Sequence, residues 1–186
     1  MSDQPDRLSR LREVMRTAGI DLVALAPGAH MAWLLDVRPH GDERPCIALI
    51  SRDREAFLMP ALEADSAREQ TDMAFYTWAD ADGPDAALAQ LLGEFGAGSF
   101  SALVLDECMR ADHAALITDA LPGAARHFTA ATIGALRMRK EDGEYRTLKA
   151  NATQADTAMQ AAWAAMRPGV SELEVAQVAR DTFAGM

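Results

Sequence analysis

Cys46-Ile47-Ala48-Leu49-Ile50, then Ser51-Arg52-Asp53-Arg54-Glu55, then Ala56-Phe57-Leu58-Met59: two apolar runs around a short charged segment predict a β-hairpin. Working outward from it, Leu22-Val23-Ala24-Leu25-Ala26 is an apolar run that stops at Pro27-Gly28, and Ala102-Leu103-Val104-Leu105-Asp106 is another. Their length and boundaries fit strands buried on both faces. Met73 to Trp78 is a further apolar, aromatic strand, and Arg126 to Phe128 a short last one. Between them lie helical patterns. Asp6 to Ala18 carries Leu8, Leu11, Met15 and Ala18 at three-to-four spacing, with Gly19 where a C-cap belongs. Pro60 opens a helix to about Glu69, since proline is tolerated in a first turn. Pro84 to Phe95, Ala111 to Leu121 and Ala130 to Leu136 supply three more. His30 to Leu35 fits a short helix or irregular chain, and Asp36 to Pro45 is a charged loop. Strands alternating with helices, apart from one hairpin, predict an α/β domain with a mixed sheet flanked by helices. It spans residues 1–138.

Residues 139–186 read differently. Glu141 to Met166 shows no strand pattern, and Leu148, Ala152, Ala155, Met159, Trp163 and Met166 fall on one helical stripe. Pro168-Gly169 breaks it. Ser171 opens a second helix, with Glu174 completing a capping box. These two C-terminal helices are either the start of a second domain or a hairpin that packs back on the sheet. If the former, the apolar positions Met159, Trp163, Met166, Val175 and Phe183 are expected to be exposed, swapped or disordered when that domain is missing.

Composition narrows the function classes. The 186 residues carry 18 Lys and Arg against 28 Asp and Glu, a formal net charge of −10. A duplex nucleic acid is therefore not the expected partner. No apolar run approaches the roughly 20 residues that span a bilayer. The start MSDQPDRLSR lacks the basic and apolar regions of a secretory signal, and Cys46 and Cys108 form no CxxC pair. A cytoplasmic location is expected.

No complete catalytic constellation is legible. His30, His40, His113 and His127 include no pair at helical i, i+4 spacing, and no GxSxG elbow occurs. Gly93, Gly96 and Gly98 lie between a helix and a strand, the reverse of a phosphate loop, and read as a connection. Asp106-Glu107 ends a buried strand, with Asp112 and His113 close behind. That is either a metal site at a strand end or an exposed loop in which Asp112 caps the next helix. Cys46 and Cys108 read as core or near-core packing. The loop Asp36 to Arg44 is the densest polar cluster. It is a binding loop with Trp33 as a stacking wall, or a solvated loop beside a half-buried tryptophan.

The order of pieces resembles the N-terminal portion of the creatinase/prolidase metallopeptidases, the pita-bread group. Three stretches carry the resemblance. The first is Gly19-Ile20-Asp21-Leu22-Val23-Ala24-Leu25 after the opening helix. The second is Trp33-Leu34-Leu35-Asp36, then Glu43-Arg44-Pro45 and the hairpin to Pro60-Ala61-Leu62-Glu63-Ala64. The third runs from Leu136-Arg137-Met138-Arg139-Lys140 through Glu144, Leu148, Lys149 and Ala150 to Arg167-Pro168-Gly169-Val170-Ser171-Glu172-Leu173-Glu174. Trp33 stands where the family has tyrosine, Leu35 and Asp36 where it has threonine and glycine, and Glu141-Asp142 where it has serine-proline.

The resemblance implies a ribonuclease H-like N-terminal domain that is itself non-catalytic. It implies that this chain holds only the first two helices of the catalytic domain. The five ligands for two divalent metals (manganese, cobalt or zinc) would lie beyond Met186, so the chain alone carries no cofactor and is expected to be inactive. It implies a homodimer in which the loop Asp36 to Arg44 approaches the partner's peptide substrate. Trp33, Asp36, His40 and Arg44 are then the candidate substrate-lining residues. The expected function is the N-terminal region of a metal-dependent Xaa-Pro peptidase. The alternatives are a creatinase-like hydrolase or lyase, or a peptidase-like protein-binding module.

Overall fold

The computed structural model describes residues 4–185. The chain divides into two compact units, Met1–Met138 and Arg139–Met186.

The first unit is a six-stranded sheet. Its strands are β1 (Leu22–Leu25), β2 (Ile47–Ser51), β3 (Glu55–Pro60), β4 (Ala74–Trp78), β5 (Ala102–Leu105) and β6 (Ala125–Phe128), in the spatial order β4-β3-β2-β1-β5-β6. β2 pairs antiparallel with both β1 and β3, whereas β1–β5, β5–β6 and β3–β4 are parallel. β2 is thus the one reversed strand, and the other five send their carboxyl ends to a single edge of the sheet. The chain builds outward from β1 in one direction as far as β4. It then returns to lay β5 on the other side of β1, so the topological switch falls between β1 and β5.

Helices cover both faces. On one, Val23, Leu25, Ala48, Ile50, Phe57, Met59 and Val104 meet α1 (Gln4–Ala18), α2 (Ala29–Leu35), α3 (Ala61–Arg68) and α6 (Ile133–Met138). On the other, Leu22, Ala24, Ile47, Leu49, Leu58, Leu103 and Leu105 meet α4 (Asp85–Glu94) and α5 (Ala111–Ala120). Burial on both sides explains why β1, β2 and β5 read as continuous apolar runs rather than as alternating patterns. The edge strands are less buried, and all four residues of β6 are exposed.

Local chemistry sets the boundaries. Gly19 (φ 69°) ends α1 in a Schellman motif, in which Ile20 N–H donates to the Met15 carbonyl at 2.8 Å and Gly19 N–H to that of Arg16 at 3.3 Å. Asp21 follows at once and ties the starts of β1 and β5 together. Its Oδ2 accepts from Ser101 N–H at 2.8 Å, Ser101 Oγ at 3.0 Å and Ala102 N–H at 3.1 Å. Its Oδ1 pairs with Arg52 at 2.9 Å. Pro60 belongs to the end of β3, and α3 begins one residue later than expected, with Pro60 as its N-cap. Residues 29–35 are helical. The glycine stretch connects α4 to β5 through a left-handed Gly96 (φ 71°) and a 3-10 turn.

In the second unit, α7 (Asp142–Ala165) and α8 (Glu172–Ala184) pack on each other, and the Ser171–Glu174 capping box forms. The apolar stripe of α7 does not face α8 and lies open, one of the outcomes expected for it. Ala158 and Ala162 are the buried positions, whereas Leu148, Met159, Trp163 and Met166 are exposed. Alanines let the two backbones approach closely, which places the larger side chains outside. On α8, Phe183 is exposed and Val175 half-buried. No helix among the described residues is long and apolar enough to cross a membrane.

Candidate functional site

Carboxyl ends of parallel strands at a topological switch are where open α/β sheets gather ligands. Three segments meet there: the first turn of α2 after β1, Asp106-Glu107 after β5, and the Thr129 turn after β6. Arg137 Nη1 donates to His30 Nδ1 at 3.0 Å. The neutral ring therefore carries its proton on Nε2, which donates to Thr129 Oγ1 at 3.2 Å. Thr129 in turn donates to Glu107 Oε2 at 2.5 Å. Burial first, and then the Arg137 charge, lower the His30 pKa against the pull of Asp106 and Glu107, which agrees with a neutral ring. Burial works to raise the Glu107 carboxyl, yet the bonds from Thr129 outweigh it and the group stays below its ordinary value.

Asp106 is 3% exposed. Its Oδ1 accepts from Cys108 N–H at 3.0 Å, and its Oδ2 has no hydrogen-bond partner among the described residues. A carboxylate oxygen of Asp106, one of Glu107 and a ring nitrogen of His30 lie within 4.8 Å of one another. Asp112 and His113 do not join them. Asp112 pairs with Arg110 at 2.8 Å in the first turn of α5, and His113 Nε2 donates to the Glu43 carbonyl at 3.1 Å. Nor does Asp112 cap α5, whose N-cap position is Arg110. The partner of Asp106-Glu107 is His30, about 76 residues upstream. Only the parallel pairing of β1 with β5 brings it there, and no local spacing signals it.

Farther along the same edge, the loop after α2 folds over β3 and α3. Arg44 Nη2 bridges Asp42 Oδ2 at 2.9 Å and Glu63 Oε1 at 2.7 Å. With His40, Arg38, the exposed Leu62 and the buried Met59 it lines a groove of about 370 Å³. His40 and Arg44 are therefore brought together. Trp33 and Asp36 do not line that groove. The Trp33 ring lies under Arg7, whose guanidinium carbon is 4.7 Å from its centroid, and its carbonyl accepts from Arg7 Nη1 at 2.9 Å. Asp36 is exposed and ends α2 in the left-handed conformation (φ 55°). Aspartate tolerates that region, so the turn keeps a backbone that glycine adopts freely. Cys46 is buried, and its thiol is pushed up to about 12, chiefly by burial. Cys108 is exposed, contrary to the near-core placement expected for it.

The model of the creatinase/prolidase N-terminal domain matches residues 7–139 of this chain. No curated protein matches it significantly. Among solved structures, a prolidase from Thermococcus sibiricus superposes with a TM-score of 0.83 at 20% identity, covering 98% of this chain and 50% of that one. A dipeptidase from Pyrococcus horikoshii gives 0.78 at 23% identity, covering 95% and 49%. An Xaa-Pro dipeptidase from Bacillus anthracis gives 0.75 at 23% identity, covering 98% and 49%. The chain thus spans about half the length of these three structures.

Proposed function

Because this chain belongs to the creatinase/prolidase N-terminal domain family, we propose that it is the non-catalytic N-terminal region of a metal-dependent Xaa-Pro peptidase. The observation that carries this reading is the family match over residues 7–139, joined to a fold shared with prolidases over 98% of the chain. In this reading the activity belongs to a protein about twice as long, in which two divalent metals, manganese, cobalt or zinc, are held by residues outside this chain. Two such metals bridged by water supply a nucleophile near neutral pH and polarise the scissile carbonyl.

The role proposed for this chain is to hold two subunits together and shape the substrate site in a cytoplasmic homodimer. The groove of His40 and Arg44 is the part suited to meet the partner's substrate. Arg44 is fixed by two carboxylates, so it presents a preorganised guanidinium edge, and the exposed His40 stands beside it. The exposed apolar side chains of α7 and α8 are assigned to contact with the rest of the longer protein.

The test is manganese-dependent hydrolysis of an Xaa-Pro dipeptide and an Xaa-Pro tripeptide, by this chain and by the longest reading frame that contains it. Activity in the longer protein alone is expected, and no activity in either would refute the peptidase assignment. His40→Ala in the longer protein is expected to lower kcat/KM. An unchanged value for it and for Arg44→Ala would refute the substrate role of the loop.

A further inference from the structure

The polar cluster at the switch between β1 and β5 has one feature that its own hydrogen bonds leave unexplained. His30, Thr129 and Glu107 satisfy each other in a chain, but Asp106 Oδ2 is buried and has no hydrogen-bond partner among the described residues. Enclosing a carboxylate oxygen with nothing to accept from is costly, because the desolvation of that oxygen is uncompensated. A carboxylate oxygen of Asp106, one of Glu107 and a ring nitrogen of His30 lie within 4.8 Å of one another, and each can give an electron pair to a cation. Thr129 Oγ1 stands 3.2 Å from His30 Nε2, a spacing comparable to that between two ligands on one small ion, and hydrogen-bonds Glu107 Oε2.

We propose that His30, Asp106 and Glu107, with Thr129 as a fourth donor, form a binding site for a single divalent cation. Three oxygens and one imidazole suit manganese or zinc better than a soft ion, and two carboxylates supply the charge such a cation needs. The three segments come from three strand ends held in register by the sheet, so the donors are positioned by the core rather than by a flexible loop.

Arg137 is the natural competitor. It donates to His30 Nδ1, which keeps the ring proton on Nε2. A metal on Nε2 moves that proton to Nδ1, where it faces the guanidinium, so Arg137 must withdraw. Its positive charge also opposes the ion. Removing that charge therefore strengthens binding, a result that a purely structural network does not produce.

The experiment uses the chain stripped with a chelator and titrated with manganese chloride, following loss of the free-ion electron paramagnetic resonance signal. A parallel calorimetric titration uses zinc chloride. Saturable binding of one equivalent of either ion is expected, weakened at least about tenfold in Asp106→Asn and in Glu107→Gln and tightened in Arg137→Met. Circular dichroism checks that each variant is folded. If the Asp106 variant does not fold, Glu107→Gln, at an exposed position, carries the comparison. No saturable binding of either ion up to about 1 mM, an affinity of about −4 kcal/mol, would overturn the proposal. So would folded Glu107→Gln that binds as tightly as the unaltered chain. The readout is bound metal rather than peptide hydrolysis, so it stands or falls separately from the peptidase reading.

Discussion

Asp21→Ala tests how the two halves of the sheet are joined. The Asp21 side chain is 14% exposed and links three segments: its own strand, the start of β5 and the hairpin residue Arg52. A hydrogen bond to a charged group contributes about 1.5–3 kcal/mol when sheltered from water. Ser101 is exposed, so water replaces much of what its two bonds lose, whereas Ala102 is only 9% exposed and its N–H is left poorly satisfied. The expected cost is about 2–3 kcal/mol at pH 7. For a chain of this size that corresponds to about 5–10 °C in Tm. Urea melts followed by tryptophan emission suit the measurement. Trp78 is buried in the first unit, and Trp163, at 77% exposure, changes little on unfolding.

The pH dependence adds a second check. Burial works to raise the Asp21 carboxyl, but the bonds from Ser101 and Ala102 and the Arg52 charge prevail and hold it below its ordinary value. The unfolded chain therefore takes up the proton first, at about pH 4. The stability that Asp21 confers is complete above that pH and is lost as pH falls through the folded value. The gap between the unaltered chain and Asp21→Ala should accordingly narrow below about pH 4. A gap under about 0.5 kcal/mol at pH 7, or one that widens in acid, would refute the reasoning.

Three other outcomes are expected. Phe57 is fully buried and stacks on Phe75 with centroids 5.4 Å apart, so Phe57→Ala should lower the unfolding free energy by about 3–5 kcal/mol in the same urea melt. A thiol reagent at pH 8 should label Cys108 in the native chain and reach Cys46 only after denaturation, since Cys46 is buried with its pKa pushed up to about 12. Equal labelling of both in the folded protein would contradict the structure. A Cβ added at Gly134 would lie 2.9 Å from the Thr129 carbonyl oxygen, a backbone atom that cannot step aside alone. Gly134→Ala should therefore cost about 1–3 kcal/mol and perturb the His30 imidazole resonances by NMR.

The central strands and most helices were legible because burial on both faces leaves an unbroken apolar run and because Gly19 and Ser171 carry their end signals in the sequence. The hairpin was legible for the same reason. What was not legible depends on distance along the chain. His30 reads as one more polar residue in an ambiguous segment until β1 and β5 pair. Asp112 looks like a helix cap until Arg110, two residues back, takes its carboxylate. The stripe on α7 is legible as an apolar face, and its exposure is among the outcomes expected of it; that Ala158 and Ala162 make the contact with α8 is not, because alanine carries little apolar signal. Trp33 reads from the sequence as a stacking wall or as a half-buried side chain, and it is Arg7, 26 residues away, that covers its ring and decides for the second.

The position of β1 at the centre of the sheet also bears on how the chain reaches its fold. β1 through β4 pair with neighbours close in sequence and can assemble as they emerge from the ribosome. The other side of β1 must wait for β5, which pairs Leu22 with Leu103 and lies some 80 residues later. Until then this wholly apolar strand keeps one edge open, and pairing across so long a separation is slow. Folding of the first unit is thus gated by the arrival of residues 102–105, and a nascent chain stalled before them would present β1 as its aggregation-prone surface.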